Sequence, residues 1–116
     1  MNVLALLLLA AQGTPAPSGV SFDMQCMIAS QLASEQLEGA EKFATTLAAM
    51  FYFGRVDSVV ADAELERRLE IEAKTIGGRP LGPILEQCGE FMKSRGETMQ
   101  QIGLRLEEKE RREGLN

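Results

Sequence analysis

Two cysteines, Cys26 and Cys88, are the residues whose type and spacing most clearly carry chemistry in this chain. They lie too far apart to form a C-x-x-C redox motif or a zinc knuckle, so a structural disulfide is their simplest role in an oxidising compartment. A bridge that closes so long a loop stabilises a fold by about 4 kcal/mol in the chain-entropy treatment. The alternative is two separate buried thiols.

Residue types that usually carry catalysis are missing from this 116-residue sequence, which contains no histidine and no tryptophan. Without histidine, the Ser-His and Cys-His nucleophile systems and the commonest zinc and haem ligands cannot form. Most acidic residues stand beside Arg or Lys, as in 64–68, and residues 77–82 lack the Lys-Ser/Thr of a phosphate-binding loop. We therefore expect a protein that is not an enzyme and that holds no metal or cofactor.

The formal net charge of −5 limits the kinds of partner. Nucleic-acid binding needs clustered Lys and Arg, and basic residues cluster here only in the C-terminal tail. The same shortage argues against an anionic membrane surface as the main partner. A protein partner or a second copy of the chain is the remaining expectation.

The N-terminus predicts export. Residues 3–11 are all apolar, a run far shorter than the roughly 20 residues that span a bilayer but typical of a secretory signal peptide. We assign residues 1–16 to the signal peptide, 17–21 to a flexible leader and 22–113 to one helical domain. The expected location is the periplasm, with no stable membrane span after cleavage; an uncleaved surface anchor is the alternative.

The rest of the sequence predicts an all-α bundle of about four helices, tied by one disulfide and ending in a long C-terminal helix. The periodicity predicts helices over about 22–38, 40–55 and 62–76, and a fourth of about 30 residues starting at Pro83. Ser21 and Asp62 are expected to cap the first and third helices.

The second predicted helix is the most apolar segment after the leader, and we expect it at the centre of the core. Its predicted buried side and its predicted solvent-facing side differ in composition. The predicted buried side contains Phe43, Thr46, Leu47, Met50, Phe51, Phe53 and Gly54, and the predicted solvent-facing side contains Glu41, Lys42, Thr45 and Tyr52.

The fourth predicted helix places Cys88 on its apolar face, as the first places Cys26, so a disulfide would join these two helices. The same apolar face holds Ile84, Leu85, Phe91, Met92, Met99, Ile102 and Leu106.

Glycines recur every seven residues along that helix, at Gly82, Gly89, Gly96 and Gly103. A glycine inside a helix costs about 1 kcal/mol relative to alanine, so the series calls for a reason. Gly89, Gly96 and Gly103 would form a flank where another helix or an elongated ligand approaches the backbone. Packing within the chain is the alternative, with Phe51 or Phe53 of the second helix filling the gaps.

Two further features each allow two interpretations. Arg55 could contact an anion, or it could cap helix carbonyls or pair with Asp57. The methionines could line a promiscuous apolar binding surface or fill an ordinary irregular core. The methionines in question are Met24, Met27, Met50, Met92 and Met99.

Three segments carry a resemblance: 25–27 (Gln-Cys-Met), 51–57 (Phe-Tyr-Phe-Gly-Arg-Val-Asp) and 86–89 (Glu-Gln-Cys-Gly). With them the chain resembles small exported two-cysteine helical proteins of Gram-negative bacteria, which are mostly uncharacterised. More distantly, it is similar to the HdeA-type periplasmic acid-stress chaperones. The resemblance implies a compact helical domain with Cys26 and Cys88 as its disulfide pair.

Three functions follow as hypotheses. The first is a protein-interaction module, with a different protein or a second copy as its partner, that uses the glycine flank of the fourth helix. The second is an acid-activated chaperone, because protonation of the 17 carboxylates would leave a strongly cationic chain that loosens and exposes apolar faces. The third is a carrier of an apolar small molecule in a Met- and Phe-lined cavity.

Overall fold

The computed structural model describes residues 19–114, which form four helices and, within that range, no strand. They are α1 (Val20–Gln36), α2 (Gly39–Asp57), α3 (Asp62–Ile76) and α4 (Leu81–Glu113). The predicted all-α class with a long C-terminal helix is confirmed. The predicted signal peptide over 1–16 lies outside the described residues.

The ends of α1, α2 and α4 differ from the predictions by one or two residues, and those of α3 agree with them. α1 begins at Val20, inside the predicted leader, with Gly19 at the N-cap position at a φ of 103°. Ser21 is therefore not the cap; its hydroxyl donates a hydrogen bond to Glu72 Oε1 at 2.7 Å. Asp62 is the first residue of α3 rather than its cap, which is Ala61.

Cys26 and Cys88 form the predicted disulfide, and it joins α1 to α4. Their Cα atoms lie 5.7 Å apart across a sequence separation of 62 residues. Both residues are buried, so the bond lies inside the core rather than at its edge. The alternative of two separate thiols is wrong.

α1, not α2, is the centre of the bundle, because α1 packs against each of the other three helices. Its buried positions run along most of its length: Phe22, Asp23, Met24, Cys26, Ala29, Ser30, Ala33 and Ser34. α2 buries only Ala49, Tyr52 and Val56. The prediction that α2 forms the centre of the core was wrong.

Two apolar clusters make up the core. One surrounds the disulfide and brings together Phe22, Tyr52, Ile76 and Ile84 from all four helices. There the rings of Phe22 and Tyr52 meet edge to face, with centroids 6.2 Å apart. The second cluster lies beside the first and contains the following residues: Met24, Val56 and Val60, with Val20, Leu65 and Leu69 packed on them.

The face of α2 that packs inward is the opposite of the predicted one. Tyr52, which the sequence predicted on the solvent-facing side, is fully buried. Phe43, Leu47, Met50 and Phe53, placed in the core, are exposed. The reason is that α1 lies against the Tyr52–Val56 side of α2, and the Tyr52 hydroxyl hydrogen-bonds to α4.

Candidate functional site

Tyr52 connects α2 to the disulfide. Its hydroxyl donates a hydrogen bond to the carbonyl oxygen of Cys88 at 2.6 Å, in a buried position. Burial raises the pKa of Tyr52 to about 12, and the nearby Asp23 carboxylate contributes in the same direction. The phenol is therefore a neutral structural donor at physiological pH.

Arg55 pairs with Asp23, and not with Asp57 as one of the predictions had it. Arg55 Nε donates to Asp23 Oδ1 at 3.0 Å, and the Asp23 side chain is only 6% exposed. The guanidinium also lies over the ring of Phe91, with Cζ 4.6 Å from the centroid. Because its charge is matched inside the protein, this geometry gives no support to an anion site at Arg55.

The Asp23–Arg55 pair was missed although its spacing carries a signal. Asp23 lies three residues before Cys26, and Arg55 lies three residues after Tyr52. Residues three apart share a helix face, so both charges lie on the faces that carry the disulfide and its tyrosine. Once Cys26 and Tyr52 are inside, Asp23 and Arg55 are brought together between α1 and α2.

Among residues 19–114, nothing fills the glycine flank of α4. Apart from the adjoining residues and backbone of α4 itself, a Cβ atom placed on Gly89, Gly96 or Gly103 would meet no atom of the described chain within 4 Å. Packing of these glycines against Phe51 or Phe53 is therefore wrong. Their flank lies open along α4.

The second half of α4 is exposed on every side. From Met99 to Gly114 each residue is exposed, including the apolar Met99, Ile102 and Leu106. These three continue the helix face on which Ile84 and Cys88 pack into the core. We call Met99, Ile102 and Leu106 the distal stripe of α4.

α2 presents the largest apolar side chains on the surface of the bundle. Phe43 is 66% exposed, Leu47 48%, Met50 65% and Phe53 44%. We call these four residues the outer face of α2.

An open groove of about 360 Å³ runs between this face and α1. It has the Met and Phe lining expected of an apolar carrier, but it lies at the surface. Its lining residues are Met27, Ile28, Gln31, Leu32, Thr46, Ala49, Met50 and Phe53.

Two other kinds of site do not occur within residues 19–114. No three His, Cys, Asp or Glu side chains in that range come together in a way that could hold a metal ion. In the same range, no helix combines the length and the apolar character needed to cross a bilayer. The candidate sites of the described chain are thus the two exposed apolar surfaces, the distal stripe and the outer face of α2.

Comparisons with known proteins give no relative from which a function could be carried over. No protein-family model matches this chain, no curated protein matches it, and no solved structure matches it.

Proposed function

We propose that this chain is an exported, non-enzymatic helical module that binds another protein through the distal stripe of α4. The observation that carries the proposal is the exposure of Met99, Ile102 and Leu106 on the half of α4 that none of the other three described helices covers. A partner helix with an apolar face is the occupant that fits this surface, because such a helix needs a matching stripe at three- and four-residue spacing.

The glycine flank supports the same partner. Gly96 and Gly103 lie beside the distal stripe, and the space at their Cα atoms is open. Glycines there let the backbone of a second helix come close, which increases the packed area for a given length of contact. They also weaken α4 by about 1 kcal/mol each, a cost that internal packing does not explain.

The proposed location is the periplasm. The buried Cys26–Cys88 disulfide supports it, because structural disulfides persist in oxidising compartments and are rare in the cytosol. Intact mass of the protein recovered from the producing cells tests this part. Loss of the N-terminal segment, together with an oxidised cysteine pair, is the expected result.

The binding site is tested by site-specific photo-cross-linking in those cells. A photoreactive phenylalanine analogue at Ile102 or Leu106 should give one discrete adduct with another protein. The matched control is Leu104, which is equally apolar and exposed but lies on the opposite side of α4. Equal adducts from all three positions, or none from 102 and 106, would refute the distal stripe as the binding surface.

Binding to the protein so identified is then measured directly. Ile102→Glu should weaken the affinity at least about tenfold, because a carboxylate would be buried against apolar partner atoms. Leu104→Glu introduces the same charge on the opposite side of α4 and should leave the affinity unchanged. Similar losses for both variants would contradict the proposal.

A second candidate is the acid-activated chaperone, favoured by the place of the disulfide. Because Cys26–Cys88 joins α1 to α4, charge repulsion at low pH could separate the helices while the chain stays tethered. Suppression of client aggregation at pH 2–3 but not at pH 7 is the expected result. Equal activity at both values, or none at either, excludes this candidate.

A further inference from the structure

The outer face of α2 is an apolar surface that no other part of residues 19–114 covers. Residues 43–54 contain no charged side chain, and four large apolar residues in this stretch are between 44% and 66% exposed. Leu32 of α1 adds a fifth, 40% exposed, at the border of the groove. Together the five expose roughly 500 Å², taking about 200 Å² for each residue when free, which matches the largest patches of monomeric proteins.

We propose that a second copy of this chain covers the outer face of α2, with the two α2 helices packed antiparallel about a two-fold axis. This inference does not rest on the proposed function, because it uses none of the α4 residues that carry it. The outer face of α2 complements a second copy of itself in size and in charge.

Size complementarity follows from the register of such a pair. In a two-fold antiparallel arrangement, positions whose numbers add to about 97 lie opposite each other. Phe43 then lies against Gly54 of the second copy, and Leu47 lies against Met50. Gly54 has open space where a Cβ would be, so its surface can accept the Phe43 ring.

Charge complementarity points to the same orientation. Lys42 comes directly before the uncharged stretch and Asp57 follows it by three residues. In the register that sets Phe43 opposite Gly54, Lys42 of each copy lies two residues, or about 3 Å along the helix axis, from the position opposite Asp57 of the other copy, so two ion pairs can close the interface. Parallel pairing would instead place Lys42 beside Lys42 and Asp57 beside Asp57, which is unfavourable.

The charges that close the interface are available for this role. Among the described residues Asp57 forms no ion pair, since Arg55 is matched with Asp23. Lys42 Nζ donates a hydrogen bond to the carbonyl oxygen of Ser34, and not to a carboxylate. The second copy supplies an uncharged helix face of the same length, with a charge of opposite sign for each end.

The buried area sets the expected strength. Covering both copies removes about 1,000 Å² in total, the lower limit for a specific interface. Because association also costs translational and rotational entropy, we expect a weak dimer with a dissociation constant in the micromolar range. It should therefore form reversibly as the protein concentration rises.

Sedimentation equilibrium of the chain as isolated from its producing cells, with its N-terminus fixed by intact mass, tests the proposal. The mass should rise from monomer to twice that value between about 1 and 500 µM. Leu47→Glu should weaken dimerisation more than tenfold, whereas Leu104→Glu, the same change on α4, should not. Both positions are exposed, so helicity by far-ultraviolet circular dichroism should be unchanged.

The antiparallel register is tested by exchanging charges. Lys42→Glu and Asp57→Lys should each weaken the dimer about tenfold, because each change turns two attractions into repulsions, and the double exchange should restore it. A mass that stays monomeric at 500 µM overturns the proposal, as does failure of the double exchange to restore the dimer. So does a dimer that Ile102→Glu abolishes and Leu47→Glu does not, since the copies would then pair through α4.

The two proposals fail separately. Leu47→Glu should leave the photo-cross-link from Leu106 intact, and Ile102→Glu should leave the dimer intact. A monomer in which Leu47→Glu abolishes binding of a different protein would assign the outer face of α2 to that protein and overturn the dimer.

Discussion

Removing the charge of Arg55 leaves the Asp23 carboxylate in the core without its counter-ion. Arg55→Met suits this test, because methionine keeps an apolar stem against Phe91 while it deletes the guanidinium. Breaking a fully buried pair in this way costs 3–5 kcal/mol. Arg55 is 36% exposed, so solvent screens part of the interaction, and we expect a loss of about 2 kcal/mol.

The assay is urea unfolding followed by circular dichroism at 222 nm. In a thermal melt followed at the same wavelength, a loss of this size would lower the melting temperature by about 10 °C for a domain of this length. Asp23→Asn removes the buried charge instead and should cost about 1 kcal/mol. Combined with Arg55→Met, it should recover about 1 kcal/mol of the loss, because no buried charge then remains unpaired.

Asp57→Asn is the matched control, since Asp57 is the partner that local sequence suggested for Arg55. We expect a change below about 0.5 kcal/mol, because Asp57 is exposed and unpaired with Arg55 in this structure. The reasoning is refuted if Asp57→Asn costs more than Asp23→Asn. It is also refuted if the effects of Asp23→Asn and Arg55→Met simply add.

Three further predictions concern the core and α4. Tyr52 is the only tyrosine and there is no tryptophan, so absorbance at 295 nm should show one phenol titrating near pH 12. The free energy of unfolding should fall from pH 10 to 12, because the phenol of the unfolded chain ionises at a lower pH than the buried one. A phenol that titrates at pH 10 in the folded protein would contradict the burial. Reduction of Cys26–Cys88 should lower stability by about 4 kcal/mol in urea unfolding, and a loss below 1 kcal/mol would show that packing alone holds α4. Gly96→Ala and Gly103→Ala should each stabilise the chain by up to about 1 kcal/mol and weaken partner binding; destabilisation would mean that these glycines are packed after all.

The periodic segments and the disulfide could be predicted from sequence because their signals are local or unique. Glycine and proline at 77–83 separate α3 from α4, and two cysteines allow only one intramolecular pairing. The helix starts were less accurate, since Gly19 and not Ser21 stands at the N-cap position of α1. No side chain makes a capping hydrogen bond at that end, so the preference for serine at the N-cap position could not locate the first residue of α1.

The buried side of α2 could not be predicted because its middle has no charged residue to mark the solvent-facing side. Ala, Phe, Met and Tyr occur all round the helix between 43 and 54, so each possible face is apolar. The choice is made by tertiary contacts, above all the hydrogen bond from Tyr52 to the Cys88 carbonyl. The same limit affects Arg55, whose partner Asp23 is 32 residues away in sequence.

The position of the disulfide along α4 makes that helix a lever. Cys88 lies near the start of the helix, and the last helical residue, Glu113, lies about 38 Å further along the axis at 1.5 Å per residue. A tilt of about 10° at Cys88 would therefore move the far end by roughly 7 Å. Because the disulfide joins Cys88 covalently to α1, a force applied to the far end of α4 is transmitted to α1 without α4 sliding along the core.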